Sequence, residues 1–242
     1  MRGWWREIAG LVLPVDCGGC GRTRTELCEE CAAQLYGGAP RRVRPDPEPT
    51  GLPVVHAAAG YEHAVRAVLL AHKERGALGL AGAVGRALAG AVRAGAGVSP
   101  GEAPLLLVPV PSARRAVAAR GHDPVRRIAL AAAAELRRAG TSARVAAVLR
   151  QRRPVADQSG LGARERRANL AGALGVVAGG GRLLAAGRVV LVDDLLTTGA
   201  SLAEAARAID GAGGWVRSGS GLRHAAVVAA SPSAFEINRN RN

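Results

Sequence analysis

The amino-acid sequence predicts an α/β protein, a parallel sheet flanked by helices, with a small metal-binding segment in front of it. Three observations lead there. Short apolar runs alternate with stretches of helical periodicity from residue 54 onward, the pattern of βαβ units. One β-branched and leucine run, VVLV at 189–192, passes straight into an acidic pair and a Thr/Gly/Ser-rich turn. All four cysteines fall between positions 17 and 31. A length of 242 residues suits one main domain with a small appendage.

Ahead of the cysteines, Trp4, Trp5, Ile8, Leu11 and Leu13 form an apolar stripe, best explained by packing against the larger domain. Cys17-x2-Cys20 and Cys28-x2-Cys31 are two thiol pairs on tight turns, the arrangement that surrounds one tetrahedral Zn2+. Disulfides, a redox pair and an iron–sulfur site are the alternatives. Residues 1–39 are too few for a core of their own, so a structural metal would supply folding free energy of about 10–16 kcal/mol. Five prolines and mixed charge predict a semi-rigid, extended linker over 40–53, with the main domain at 54–230.

Within that domain, 54–59, 105–108, 145–149, 189–192 and 227–230 read as strands. Val65, Val68, Leu69 and His72 mark one helix, and a second runs from 78 towards 92. Val125, Ile128, Ala132 and Leu136 mark a third, and Leu202, Ala205, Ala206 and Ile209 a fourth. The Arg- and Gly-rich stretch between 151 and 187 reads as a functional loop or hood. Residues 231–242 read as a disordered tail. Lys73 reads as a solvated lysine, and His56, His63, His72, His122 and His224, which lack metal spacing, as structural or surface residues.

A formal net charge of +14 attracts polyanions such as nucleic acid or nucleotides. Aromatic residues make up only 2%, so there is no stacking platform for single strands, and a diffuse solvated positive surface is the competing reading. Of the 33 lysines and arginines only Lys73 is a lysine. No apolar run approaches the roughly 18 residues of a membrane span. Arg2 and Arg6 precede an apolar stretch, but Pro14, Val15 and Asp16 before Cys17 make a poor cleavage site. The expected compartment is the cytoplasm.

The string VVLVDDLLTTGAS, 189–201, carries the most chemistry. A buried strand ends on two acids, and a Thr-Thr-Gly-Ala-Ser turn opens a helix, at the carboxyl end of a strand where open α/β sheets bind ligands. A phosphate there meets freed backbone amides, the positive end of the helix dipole and the hydroxyls of Thr197, Thr198 and Ser201. Gly199 lets the backbone close on it. Adjacent carboxylates repel a phosphate unless they serve other groups. Ribose hydroxyls and a magnesium ion are the natural partners. A plain helix cap accounts for one or two of these residues and not for the whole string.

The string resembles the phosphoribosyl-pyrophosphate (PRPP) motif of type I phosphoribosyltransferases. The resemblance implies Asp193 and Asp194 beside the ribose hydroxyls and Mg2+, with Thr197, Thr198, Gly199, Ala200 and Ser201 around the 5-phosphate. Purine-salvage members carry an acid where Thr197 stands, which argues against hypoxanthine or guanine as acceptor. The order of four-cysteine knuckle, VPVPSARRAVAARGHD, QRRPVADQSGLGARERRANLAGAL and PRPP motif is similar to the ComF family of competence- and GntX-related proteins, over nearly the whole chain to about residue 230. That family usually has Arg-Gly-Phe-Asn where this chain has Arg120-Gly121-His122-Asp123. The resemblance implies a type I phosphoribosyltransferase fold, with Ser112, Arg114, Arg115 and Arg120 towards pyrophosphate. Gln158, Arg166 and Asn169 would lie in a covering hood. The activity it implies is transfer of phosphoribosyl to an unidentified acceptor. The rival is a non-catalytic DNA-uptake component or PRPP-sensing regulator, with single-stranded DNA, a nucleotide and a competence helicase as partners.

Overall fold

The computed structural model describes residues 15–97, 102–155, 162–215 and 223–236. The expected stripe at Trp4–Leu13 and hood residue Gln158 lie outside them. Six strands form the main sheet: β1 (Arg41–Val43), β2 (Val54–Gly60), β3 (Leu105–Pro109), β4 (Ala143–Val145), β7 (Arg188–Leu196) and β8 (His224–Ala230). Their order is β1-β2-β8-β7-β3-β4. β1 runs antiparallel to β2, and every other pair is parallel. A separate antiparallel pair joins β5 (Leu149–Gln151) to β6 (Leu174–Val176). The predicted α/β class holds. The predicted strand at 145–149 is two strands, β4 ending where it was to begin and β5 beginning where it was to end.

The sheet is covered on both faces, which is why its central strands read as unbroken apolar runs. Successive residues of β7 point opposite ways. Val190 and Val192 join Leu105, Leu107, Ala226 and Val228 in a core capped by α3 (Ala81–Ala96) and α5 (Pro124–Arg138). Val189 and Leu191 join Val108, Ala225 and Val227 in a second core, capped by α8 (Ala200–Asp210) and Leu184 of α7 (Gly180–Leu184). Asp123 starts α5, accepting a hydrogen bond from the Arg126 amide at 3.1 Å with Pro124 at the first turn. α2 (His63–Glu74) supplies Val65, Val68 and Leu69 to the first core.

Residues outside the expected main domain pack into it. The 40–53 stretch, expected as a semi-rigid, extended linker, carries β1, an edge strand of the sheet; Val43 is 1% exposed, and Pro45 and Pro49 are buried. The cysteine segment packs there too. Leu35 of α1 (Glu29–Tyr36) is fully buried in the first core, and Gly18 lies against Leu80 and Ala71. The predicted tail also continues the fold for a few residues. α9 (Ser233–Glu236) buries Ala234 and Phe235, and the Ala234 carbonyl accepts from the Arg44 amide at 2.9 Å.

Among the described residues no single helix is long and apolar enough to cross a membrane. α2 and the Leu78–Ala96 stretch reach that length only together and are bent by 119°.

Candidate functional site

β7 outruns its neighbour. Its last β3 partner is Val192, opposite Pro109, and the Val110 amide still donates to the Val192 carbonyl at 2.9 Å. Beyond that point β3 leaves for α4 (Arg114–Arg120), while β7 carries on through Leu196 beside β8. Asp193 and Asp194 therefore lie within a strand, at the carboxyl end where β7 no longer has β3 beside it. They are not in the turn.

The two acids are not equivalent. Asp194 is buried, at 6% exposure, and its Oδ2 accepts from Lys73 Nζ at 2.6 Å. Asp193 accepts on Oδ1 from the Asp194 amide at 2.9 Å. Burial pushes the Asp193 carboxyl well above its usual range and the Asp194 charge adds to this, with Lys73 opposing. Burial works most strongly against the Lys73 ammonium, but the Asp194 charge, the hydrogen bond to Asp194 and the Asp193 charge together outweigh it and raise its pKa. Lys73, expected as a solvated side chain, is thus bound into the acid pair across 121 residues of chain.

Both neighbours of Lys73 on α2 meet the chain at 120–122. Glu74 holds Arg120 through two bonds, 2.8 and 2.7 Å. His72 is fully buried, with neither ring nitrogen partnered among the described residues, and its ring meets that of His122 edge-on at 6.1 Å. Burial first, then the nearby His122 and Arg127, bring the His72 pKa down to about 4. Arg120, expected to face pyrophosphate, is engaged with Glu74. Ser112 precedes α4 and is partly exposed. Arg114 and Arg115 on α4 are exposed and have no partner among the described residues.

Thr197, Thr198 and Gly199 turn the chain from β7 into α8. Gly199 has φ +73°, the left-handed conformation that glycine adopts without penalty. A Cβ there would meet Leu52 at 3.1 Å and Pro49 at 3.2 Å, so the proline segment backs this turn. Arg166 of α6 (Ala163–Leu170) reaches over it, Nη1 donating to Thr197 Oγ1 at 3.0 Å. Glu165 steadies the start of α6 by accepting from the Gly162 amide at 2.8 Å. The Asn169 carbonyl accepts from Arg153 at 3.0 Å. Asp193 and Asp194 thus stand near the end of β7, just ahead of the turn where Arg166 meets Thr197. Sequence reasoning missed Lys73, whose one available signal was being the sole lysine among so many arginines.

The cysteines form a second centre. The sulfurs of Cys17, Cys20, Cys28 and Cys31 lie within 4.8 Å of one another and no disulfide joins them. A tetrahedral metal with bonds near 2.3 Å sets sulfurs about 3.8 Å apart, and Cys20 and Cys28 stand at 3.6 Å. Burial raises the Cys17 thiol, but amides led by that of Cys28, which donates to its sulfur at 3.3 Å, outweigh it and leave the pKa at about 6. Arg22 and Glu30 brace the knuckle at 2.9 and 3.1 Å. The donor set fits a metal ion.

Away from both centres, Arg150, Arg152 and Arg207 line a cavity of about 300 Å³ between β5–β6 and the end of α8. Arg207 is bound by Glu204, while Arg150 and Arg152 have no partner among the described residues. Set against known protein families and curated proteins, the chain matches none.

Proposed function

We propose that the crevice at the end of β7 binds PRPP with Mg2+, and that the protein is a phosphoribosyltransferase-like protein of the ComF type with structural zinc on its four cysteines. The observation that carries this is the acid pair near the carboxyl end of a buried parallel strand, followed after two leucines by the Thr197–Gly199 turn with its left-handed glycine. Ribose offers hydroxyl donors to Asp193 and Asp194. The freed amides at the start of α8 and the hydroxyls of Thr197, Thr198 and Ser201 suit a 5-phosphate. Arg114 and Arg115, exposed and without a partner among the described residues, match the charge of pyrophosphate, which guanidinium groups grip through paired hydrogen bonds.

In a transfer, the acceptor's nucleophile attacks the ribose anomeric carbon as the bond from that carbon to the pyrophosphate oxygen breaks. Bound magnesium would neutralise the departing pyrophosphate. The side chains' part is to hold and orient: the acids fix the ribose, the turn fixes the 5-phosphate, and the arginines offset charge on the leaving group. In this reading α6, whose Arg166 donates to the Thr197 hydroxyl, serves as the cover that excludes water. Free thiols suit the cytoplasm as compartment.

A second reading has its own support. Arg150 and Arg152 join Arg114 and Arg115 as exposed cations without a partner among the described residues, which favours a polyanion such as single-stranded DNA in a DNA-uptake role beside a helicase. Pyrophosphate release from PRPP across a panel of nucleobases separates the two. Base-dependent release supports the enzyme. PRPP binding with no release for any base supports the sensing or uptake role.

A further inference from the structure

We infer that the Lys73 ammonium is the counter-ion of the acid pair in the ligand-free protein, and that a ligand arriving with a divalent cation displaces it from Asp194. The inference rests on the PRPP reading of the crevice and says how that site is kept and opened.

Two carboxylates side by side in a crevice need a compensating charge, because an unpaired buried charge is expensive. Lys73 supplies it, and from the open side: its side chain is 33% exposed where that of Asp194 is 8%. The ammonium therefore has a way out into water. Composition shows that the residue type matters. Every other basic side chain outside the histidines is arginine, and arginine makes the fixed contacts, as in the paired bonds of Arg120 to Glu74 and Arg207 to Glu204. A guanidinium is a rigid, weakly hydrated fork. An ammonium is a compact point charge that water solvates strongly, which makes it the easier cation to release.

With Nζ at 2.6 Å from Asp194 Oδ2, a divalent cation bound there at about 2.0–2.6 Å sets like charges against each other. The two cations therefore compete for this carboxylate. The displaced lysine stays beside the arginine-bearing segment, because its neighbours Glu74 and His72 hold Arg120 and meet His122.

The single lysine makes the test direct. Protein labelled with nitrogen-15 at the lysine side chain has one Nζ signal. Asp194→Asn locates the signal of the released ammonium without any ligand, and calorimetry establishes saturation with Mg2+ and PRPP. The signal of the unsubstituted chain is expected to leave its ion-paired position and move towards that reference on saturation. An unmoved signal at saturation overturns the inference and leaves PRPP binding intact. If calorimetry detects no PRPP binding, the PRPP reading falls, and Mn2+ alone decides the exchange. Lys73→Met is then expected to bind Mn2+ several-fold more tightly than the unsubstituted chain, having lost the competitor, while Lys73→Arg does not. Equal or weaker binding by Lys73→Met overturns the inference.

Discussion

Asp194, Gly199 and His72 show how far a residue's type predicts its role. Gly199 was legible as a residue that lets the backbone close on a phosphate, but its missing side chain points at Leu52 and Pro49. Gly199→Val therefore acts chiefly on the fold. A left-handed non-glycine residue costs about 1–2 kcal/mol, the branched chain must also displace Leu52, and each kcal/mol lowers Tm by about 2–4 °C in a domain of this size. Thermal melting is expected to show a drop of several degrees, and an unchanged Tm would refute the packing. His72 gave no sequence signal beyond an apolar helix face. Its folded pKa, about 4, lies below the ordinary 6.5, so the unfolded chain binds the extra proton between those values. Its contribution to stability is complete above about pH 6.5 and lost as pH falls towards 4. Denaturant titrations across this window are expected to show that slope, reduced in His72→Leu.

At the scale of elements, helices and strands with regular apolar periods were readable because periodicity is local information. The 40–53 stretch was not. Its prolines forbid a central strand, yet an edge strand of three residues with buried Val43 and a cover over the Gly199 turn are tertiary facts. The same holds for Lys73, whose partner is 121 residues away. The cysteine spacing, by contrast, did announce a four-cysteine cluster able to hold a metal ion. Because Leu35 and Gly18 pack on α2 and α3, losing that centre should weaken more than the first forty residues. Metal analysis is expected to find one zinc per chain. Chelation or Cys28→Ser is expected to lower the melting of the whole protein, and a variant that loses only local structure around 15–36 with unchanged global Tm would refute the docking.

At the scale of the whole molecule, the alternation of strand and helix was enough for the class and the burial of both sheet faces. It was not enough for the covering pair β5–β6 or the reach of Arg166 to Thr197, which depend on long-range packing. The charge of +14 predicts salt-sensitive polyanion binding without sequence preference, with log K falling by about 0.7–0.9 per neutralised phosphate for each tenfold rise in salt. Filter binding of single-stranded DNA over a salt series checks this, and salt-insensitive or sequence-selective binding would contradict it. The claim on which the rest depends is the PRPP crevice, and calorimetry of PRPP with Mg2+ tests it most directly. The unsubstituted chain is expected to bind, and Asp194→Asn, which keeps the shape and removes one charge, to bind about ten- to a hundredfold more weakly, the worth of about 1.5–3 kcal/mol for a charge-assisted hydrogen bond. A folded, metal-loaded protein that binds neither PRPP, ribose 5-phosphate nor a nucleotide would contradict it.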